Sequence, residues 1–139
     1  METIYAYLAG IIDGEGCISI RKCKQGKYIY FKPMIEVSMT HRPTIEFVAK
    51  TFGNSVWYEV RAIYRHKKIY KWRATGTNVI PILKNILPYL ITKREQAIVA
   101  LEMANLLSKK GHKWSSPERI RQNATRLPLF DKMFILNHG

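Results

Sequence analysis

Residues 8–16 read Leu-Ala-Gly-Ile-Ile-Asp-Gly-Glu-Gly, with three glycines and two acids in nine positions. This stretch closes a predicted helix over residues 3–13. Hydrophobic side chains recur at every fourth position of that helix: Ile4, Leu8 and Ile12. Gly14 and Gly16 are expected to end the helix, after which the sequence changes to the alternation of a strand.

Alternation and helical periodicity predict the elements that follow this stretch. In chain order they are strands over 17–24 and 28–39, a helix over 44–52, strands over 55–65 and 68–75, helices over 79–86 and 93–107, and a helical tail over 116–137. The resulting αββαββα order, with a further helix and the tail behind it, is typical of the α+β class. No linker divides the chain, so one domain over residues 1–139 is expected, with its core over about 3–107.

The charge balance is strongly positive, with 23 Lys and Arg against 10 Asp and Glu and a formal net charge of +13. A positive field of this size favours a polyanionic partner, of which nucleic acid is the usual one. Charge alone also leaves open a protein that is merely basic. No run approaches the ~18 apolar residues that a membrane span requires, so no membrane partner is expected.

The cysteines and the beginning of the chain indicate where the protein works. Cys17 and Cys23 are too few for a zinc site and, six residues apart in one predicted strand, too distant to form a disulfide. No basic segment followed by a long apolar run precedes them, so no secretory signal is predicted. We therefore expect an intracellular protein, in the cytoplasm and nucleoid or in an organelle.

The positive charge concentrates in two stretches that contain no acid. Residues 16–35 and 60–94 each hold a predicted strand pair in which hydrophobic side chains alternate with Lys and Arg. The sheet should therefore have an apolar face for helices and a cationic face for DNA. Four interleaved tyrosines would either pack on sugars or fill the edge of the core: Tyr28, Tyr30, Tyr58 and Tyr64.

Residues 8–16 resemble the LAGLIDADG motif of homing endonucleases at nearly every position, with Glu15 where the family's last acid is usually Asp. The segment Pro-Tyr-Leu-Ile-Thr-Lys-Arg-Glu-Gln-Ala over residues 88–97 looks like the segment that carries the family's active-site lysine, here Lys93. The resemblance covers roughly residues 5–107 and implies the single-motif, homodimeric type. It also implies that a saddle-shaped antiparallel sheet lies on DNA, with helices on its other face.

A motif that occurs once in the chain points to a second copy of the chain as its partner. Ala9 and Gly10 would let another helix approach closely, and the expected interface residues are Leu8, Ala9, Gly10, Ile12 and Asp13. Two copies of Glu15 near one two-fold axis would repel each other unless a cation lay between them. Hard oxygen ligands select Mg²⁺, for which Mn²⁺ can substitute, over zinc.

The resemblance also implies the roles of individual residues. Glu15 would be the catalytic metal ligand, with the carbonyl oxygen of Gly14 as a second ligand. Lys93 would assist catalysis by stabilising charge at the phosphate, or it would contact the DNA backbone without catalytic weight. Asp13 is expected to hydrogen-bond at the helix ends of the interface rather than to act as a second catalytic acid.

One position departs from the pattern of several relatives. A Gln follows a Val-Ser or Val-Thr pair in them, whereas this chain has Met39 after Val37 and Ser38. A thioether cannot orient water as an amide does, so Thr40, His41 or another group would have to take that role.

Base recognition is expected from the cationic sheet face in the major groove. The candidates for base contacts are Ser19, Arg21, Lys32, Arg61, Arg65, Lys71 and Arg73. Lysines expected in turns, and therefore at phosphates, are Lys24, Lys27, Lys67 and Lys68. His66 and His112 lack any metal-ligand spacing and are expected to make surface contacts.

The resemblance implies a site-specific, intron-encoded endonuclease that binds a long pseudo-palindromic duplex and hydrolyses one phosphodiester on each strand, leaving 3′ overhangs. Two alternatives keep the fold and remove the cleavage: an RNA maturase bound to intron RNA, and a DNA-binding regulator. A simple basic RNA-binding domain is a further alternative, although no motif of such domains is visible.

Overall fold

The structure, a computed structural model, describes residues 2–53, 55–61, 67–107 and 117–138, with the backbone alone for residues 2 and 117–125. The strands are β1 Gly16–Gln25, β2 Tyr28–Met39, β3 Val56–Arg61 and β4 Lys68–Thr75. The helices are α1 Glu2–Glu15, α2 Arg42–Thr51, α3 Val79–Ile86, α4 Arg94–Leu107 and α5 Pro117–His138. The predicted α+β class and αββαββα order are confirmed, with α4 and α5 as the further helix and the tail.

The junction between α1 and β1 differs from the prediction, because the helix continues through Gly14 and ends at Glu15. β1 begins at the next residue, Gly16. A Cβ atom at Gly16 would lie 2.8 Å from both the Cα and the carbonyl oxygen of Ile12. Only glycine therefore allows the chain to leave the helix and enter the sheet without a connecting loop.

The sheet is antiparallel throughout, with strand order β1-β2-β4-β3. Gln25 pairs with Tyr28 across a two-residue turn, in which Gly26 takes a φ of 61°. One face of the sheet is buried, as the alternation predicted, and contributes Ile18, Ile20, Phe31, Ile35, Val37, Trp72 and Ala74 to the core.

Helices cover this apolar face and form the second layer. The ring of Trp72, which is wholly buried, lies 5.7 Å from that of Phe52 behind α2. α5 joins the same layer, because Phe130 packs on Phe31 at 5.3 Å and the Asn137 side chain donates a hydrogen bond to the carbonyl oxygen of Ile18.

The last two findings concern the cysteines and the length of the helices. Cys17 and Cys23 are free thiols, as expected. In the parts of the chain that the structure describes, no helix is both long and apolar enough to cross a membrane.

Candidate catalytic and nucleic-acid-binding site

Asp13 connects the end of α1 to the beginning of α4. Its Oδ2 accepts a hydrogen bond from the backbone N–H of Ile91 at 2.9 Å, and its Oδ1 accepts one from the backbone N–H of Lys93 at 3.0 Å. The N–H groups that precede a helix have no intrahelical partner, and a carboxylate is favoured there by the helix dipole. Asp13 therefore acts as a capping residue for a helix 80 positions further along the chain.

Lys93 completes a reciprocal contact. Its Nζ donates a hydrogen bond to the backbone carbonyl oxygen of Asp13 at 2.6 Å. The last carbonyls of α1 lack helical partners and carry the negative end of the dipole, so an ammonium group is stabilised there. We call these three hydrogen bonds between Asp13 and residues 91–93 the Asp13 clasp. The clasp brings Lys93, predicted to lie at the active site, within two residues of Glu15.

Glu15 and Gly14 lie at the exposed end of α1. A Cβ atom placed on Gly14 would meet no atom of the described residues within 4 Å, so they leave the space beside this backbone open. The polar atoms at this helix end are a carboxylate and carbonyl oxygens that lack intrahelical partners, which are hard oxygen donors of the kind that Mg²⁺ accepts. Within the described ranges, no group of three or more His, Cys, Asp or Glu could hold a metal ion.

The exposed face of α1 is not the one predicted. Leu8 and Ala9 are wholly buried and Ile12 is 1% exposed, so these residues pack inside the chain's own core. A period of 3.6 residues instead brings another set to the surface: Thr3, Ala6, Tyr7, Gly10 and Gly14. Added Cβ atoms at Gly10 and Gly14 would both point into open space. We call Ala6, Gly10 and Gly14 the small stripe.

Leu8, Ala9 and Ile12 are therefore wrong as interface residues, whereas Gly10 is exposed as an interface residue must be. Asp13 hydrogen-bonds at helix ends, as expected, but the helices it joins are α1 and α4 of one chain. The predicted interface rests on the small size of Ala9 and Gly10. Because these two residues are adjacent in the helix, they point in different directions around it, and only Gly10 is exposed.

The face of the sheet opposite the helices carries five of the predicted base-contacting residues. The register places Arg21 across from Lys32, Ser19 across from Met34, and Ser38 across from Lys71. Arg73 follows Lys71 by two positions and therefore shares its face. Like charges directly opposite each other, as at Arg21 and Lys32, are destabilising unless an anion lies over them. We call this surface the cationic face.

Three predicted DNA contacts lie on the other side of the sheet. Arg61 pairs with Lys68, and each is four residues from the paired Trp57 and Trp72 on its strand. Arg61 and Lys68 therefore lie on the same side of the sheet as the two tryptophans and point away from the cationic face. Lys24 shares the alternation of Ile18 and Ile20. Neither Lys24 nor Lys68 lies in a turn, and Lys68 Nζ lies 3.2 Å from Glu59.

Arg61 is therefore wrong as a member of the base-reading face. Lys27 does lie in the β1–β2 turn, with its Nζ 5.8 Å from the Tyr28 ring centre, and Lys67 is exposed before β4. Arg65, Tyr64, His66 and His112 fall outside the described residues.

A carboxylate on the cationic face was missed by the sequence reasoning. Glu36 pairs in register with Arg73, whose Nε donates to Glu36 Oε2 at 2.8 Å, while Lys71 Nζ lies 3.5 Å from Oε1. Burial alone would raise the pKa of this carboxyl, but the hydrogen bonds and charges of Arg73 and Lys71 outweigh it and hold the pKa below its ordinary value. Alternation along β2 could have revealed its face but not its partners.

Of the four interleaved tyrosines, the three that lie on described strands, Tyr28, Tyr30 and Tyr58, are on the cationic face rather than in the core. Tyr58 pairs with Lys71, and the guanidinium carbon of Arg73 lies 5.7 Å from the Tyr58 ring centre. Tyr28 and Tyr30 follow the same alternation as Lys32. A hydrogen bond with Cys23 is the largest of the causes that raise the pKa of Tyr30.

Met39 packs against the hydrophobic core and shares the alternation of Val37. His41 Nδ1 is hydrogen-bonded to Thr44 Oγ1 at 2.7 Å, which leaves Thr40 as the exposed polar residue at the end of β2. Thr40 and His41 are the two residues expected to orient water in place of Met39, and the His41 side chain is bonded to α2, whereas among the described residues the structure shows no such bond for Thr40.

Solved structures of similar shape define the class of fold. The homing endonuclease I-CvuI in complex with its target is 22% identical, with a TM-score of 0.81 over 99% of this chain and 84% of that chain. The archaeal intron-encoded homing endonuclease I-Vdi141I complexed with DNA is 18% identical, with a TM-score of 0.78 over 97% and 84%. I-GzeII, a LAGLIDADG homing endonuclease in complex with a DNA target, is 16% identical, with a TM-score of 0.75 over 93% of this chain and 44% of that chain. The fold is that of the homing endonucleases.

The family follows from the sequence match. The model of the LAGLIDADG endonuclease family matches residues 8–110, and the chain belongs to that family. No curated protein sequence matches the chain.

Proposed function

We propose that the chain is a site-specific homing endonuclease that binds a long pseudo-palindromic duplex as a homodimer and hydrolyses one phosphodiester on each strand, leaving 3′ overhangs. The observation that carries this proposal is the Asp13 clasp, which holds the Lys93 ammonium beside the exposed Gly14 and Glu15 at the end of the motif helix. An acid and a fixed cation at one edge of a cationic sheet form a site suited to a phosphodiester.

The dimer is supported by the small stripe of α1. Ala6, Gly10 and Gly14 leave a flat helix surface that a second copy of α1 could approach closely, with two Glu15 side chains brought near the two-fold axis. The coverage of the similar structures agrees with this arrangement. The chain spans 84% of the I-CvuI chain but only 44% of the I-GzeII chain, so it corresponds in length to one half of the latter.

Mg²⁺, with Mn²⁺ as a substitute, is the proposed cofactor. The Glu15 carboxylate and the carbonyl oxygen of Gly14 would hold it, and the remaining positions would be filled by the partner's acid, water and phosphate oxygens. A bound divalent ion supplies Lewis-acid stabilisation of the charge that develops on the scissile phosphate.

The chain's own residues position the phosphate and neutralise it. Lys93 is held by the Asp13 carbonyl, so its ammonium group does not have to be ordered when DNA binds. Its positive charge would then stabilise the developing charge on the phosphate. Asp13 does not act on the substrate, because both of its oxygens already accept hydrogen bonds from the backbone before α4.

DNA recognition is assigned to the cationic face. We propose that Ser19, Arg21, Lys32, Lys71 and Arg73 reach base edges in the major groove, since they share one side of the sheet. Lys27 and Lys67, which lie at the hairpin ends, would contact phosphates, whereas Lys24 and Lys68 point away from the cationic face. Such a protein would act inside the cell, where its DNA target lies.

The experiment is a cleavage selection with purified protein and a randomised pseudo-palindromic library of about two helical turns. We expect cleaved sequences to be enriched with Mg²⁺ or Mn²⁺ and not with EDTA. A selected site cloned into a plasmid should be nicked and then linearised. If nothing is cleaved while a group I intron RNA binds tightly, the protein is a maturase and the proposal is wrong.

A variant separates the two roles of Lys93. If its ammonium stabilises charge at the reacting phosphate, Lys93→Met should cut about 10²-fold more slowly while binding the site nearly as tightly. The matched control is Lys132→Met, an exposed lysine on α5. Equal losses of binding and cleavage in Lys93→Met would instead indicate a backbone contact.

A further inference from the structure

Glu36 is unusual for its surroundings. Among the described strand residues of the cationic face it is the one acid, and its side chain is only 16% exposed. Duplex DNA carries one negative charge per ~1.7 Å of its axis, so a carboxylate on a surface that meets DNA weakens the binding. We therefore expect Glu36 to have a function that offsets this loss of DNA affinity.

The contacts of Glu36 fix one guanidinium group. Arg73 donates to the same oxygen, Oε2, from Nε at 2.8 Å and from Nη2 at 2.5 Å. On its other side the guanidinium lies over the Tyr58 ring, with the carbon atom 5.7 Å from the ring centre. Lys71 adds a weaker contact at 3.5 Å to Oε1. The plane and the direction of the Arg73 group are thus both determined before any DNA arrives.

These contacts occupy one edge of the Arg73 guanidinium and leave a second edge available for a ligand. A guanidinium has five N–H groups, and the edge formed by Nε and Nη2 is the one occupied by Glu36. Within the described part of the chain, Nη1 of Arg73 makes no hydrogen bond that the structure shows. The edge formed by Nη1 and Nη2 is therefore available, and its fork matches the O6 and N7 acceptors of guanine in the major groove.

We propose that Glu36 is a specificity-determining positioning residue, which holds Arg73 so that its outer edge reads one guanine in each half-site. This inference rests on the proposed function as a sequence-specific DNA-binding homodimer. Without the Glu36 contact, the Arg73 side chain would sample many rotamers and could reach phosphates or other bases. Glu36 thus weakens binding to DNA in general and sharpens the choice of one base pair.

A positioning role for Glu36 predicts two opposite effects of its removal, tighter non-specific binding and a weaker preference for guanine, which a purely structural role does not predict. Glu36→Gln removes two negative charges from a dimer, so binding to non-specific DNA should become tighter. At the same time, the preference for guanine at one symmetric pair of positions should fall by about tenfold, because a bidentate contact of this kind provides about that much discrimination. Arg73→Lys should lose the same preference at the same positions, since an ammonium group has no fork.

The experiment compares base preferences at every position of the site. The wild type, Glu36→Gln and Arg73→Lys are each selected for binding to the randomised pseudo-palindromic library, and affinity for a non-specific duplex is measured beside it. Glu59→Gln is the matched control, because Glu59 pairs with Lys68 at 3.2 Å on the opposite side of the same sheet. We expect the control to keep the wild-type preferences at all positions.

The outcomes are distinct. Loss of the guanine preference at one pair of positions in both variants, with tighter non-specific binding by Glu36→Gln, supports the assignment. An unchanged profile in Arg73→Lys overturns it even if Glu36→Gln fails to fold, and so does a uniform loss at all positions in Glu36→Gln. If the wild type itself selects no sequence, the proposed function has failed, and the role of Glu36 fails with it.

Discussion

Asp13 and Lys93 hold each other through both backbone and side chain. The Asp13 carboxylate accepts a hydrogen bond from the Lys93 backbone N–H at 3.0 Å, and the Lys93 ammonium donates to the Asp13 carbonyl oxygen at 2.6 Å. A residue in the last turn of the motif helix thus also fixes the residue proposed to act on the phosphate. Motif and lysine segment are 80 positions apart in the sequence and form one structural unit.

Asp13→Asn tests the structural side of this contact. An amide can accept one of the two backbone hydrogen bonds and turns a donor toward the other, so the free energy of unfolding should fall by about 1–2 kcal/mol. Chemical denaturation measures the loss, with Asp131→Asn on the exposed side of α5 as the control. Identical midpoints for the two variants would show that the clasp does not stabilise the fold.

Gly10→Leu tests the small stripe. A Cβ atom at Gly10 would meet no atom of the described residues within 4 Å, and Leu favours a helix by about 1 kcal/mol over Gly, so the isolated chain should be at least as stable as before. The bulk should nevertheless keep two α1 helices apart. We expect sedimentation on target DNA to show dimers for the wild type and monomers for the variant.

The control for this change is Gly53→Leu, because Gly53 also has open space around its Cβ position but lies beyond α2. A Gly10→Leu variant that remained dimeric on DNA would remove α1 from the interface.

The salt dependence of DNA binding tests the pair of cations at Arg21 and Lys32. Each phosphate charge that a protein neutralises adds about 0.9 to the slope of log affinity against log salt, so removing four cations from the face of a dimer that lies on DNA should lower the slope by up to ~3.6. The double variant Arg21→Gln with Lys32→Gln is compared with Lys84→Gln and Lys132→Gln, whose lysines are exposed on helices. Equal slopes in both double variants would mean that DNA does not lie on the cationic face.

The pKa of Glu36 predicts a dependence of stability on pH. Its carboxyl is partly buried, and Arg73 and Lys71 nevertheless hold its pKa below the ordinary value of 4.5. A depressed pKa in the folded state stabilises the protein above the ordinary value, and this contribution is lost as the pH falls further toward the folded pKa. The wild type should therefore be more stable than Glu36→Gln at pH 7, and the difference should shrink below about pH 4.5. A difference that stayed constant down to pH 3 would contradict the ion pair.

Much of the fold follows from local patterns. Alternation placed Ile18, Ile20 and Trp72 on the buried face, and periodicity gave the bounds of α3 without error. These features depend on neighbours in sequence, for which the periods of 2 and 3.6 residues are sufficient.

The errors concern relationships that local patterns do not contain. The face of Arg61 is set by its pairing with Lys68 across a segment outside the described residues, and the predicted strand was extended past it. Ala9 was assigned to the dimer interface because it is small, whereas its direction is decided by the packing of α1 on the sheet. The partners of Asp13 and of Glu36 lie far along the chain, at Lys93 and Arg73, and only the folded backbone brings them together.

We propose that Glu15 serves cleavage and not binding, and the variant Glu15→Gln tests this role most directly. Binding and cleavage of the selected site are determined in Mg²⁺ for the wild type, for this variant and for Glu102→Gln, an exposed acid on α4. We predict that Glu15→Gln binds as tightly as the wild type and cuts neither strand, while Glu102→Gln cuts normally. Cleavage by Glu15→Gln at the wild-type rate would contradict the account.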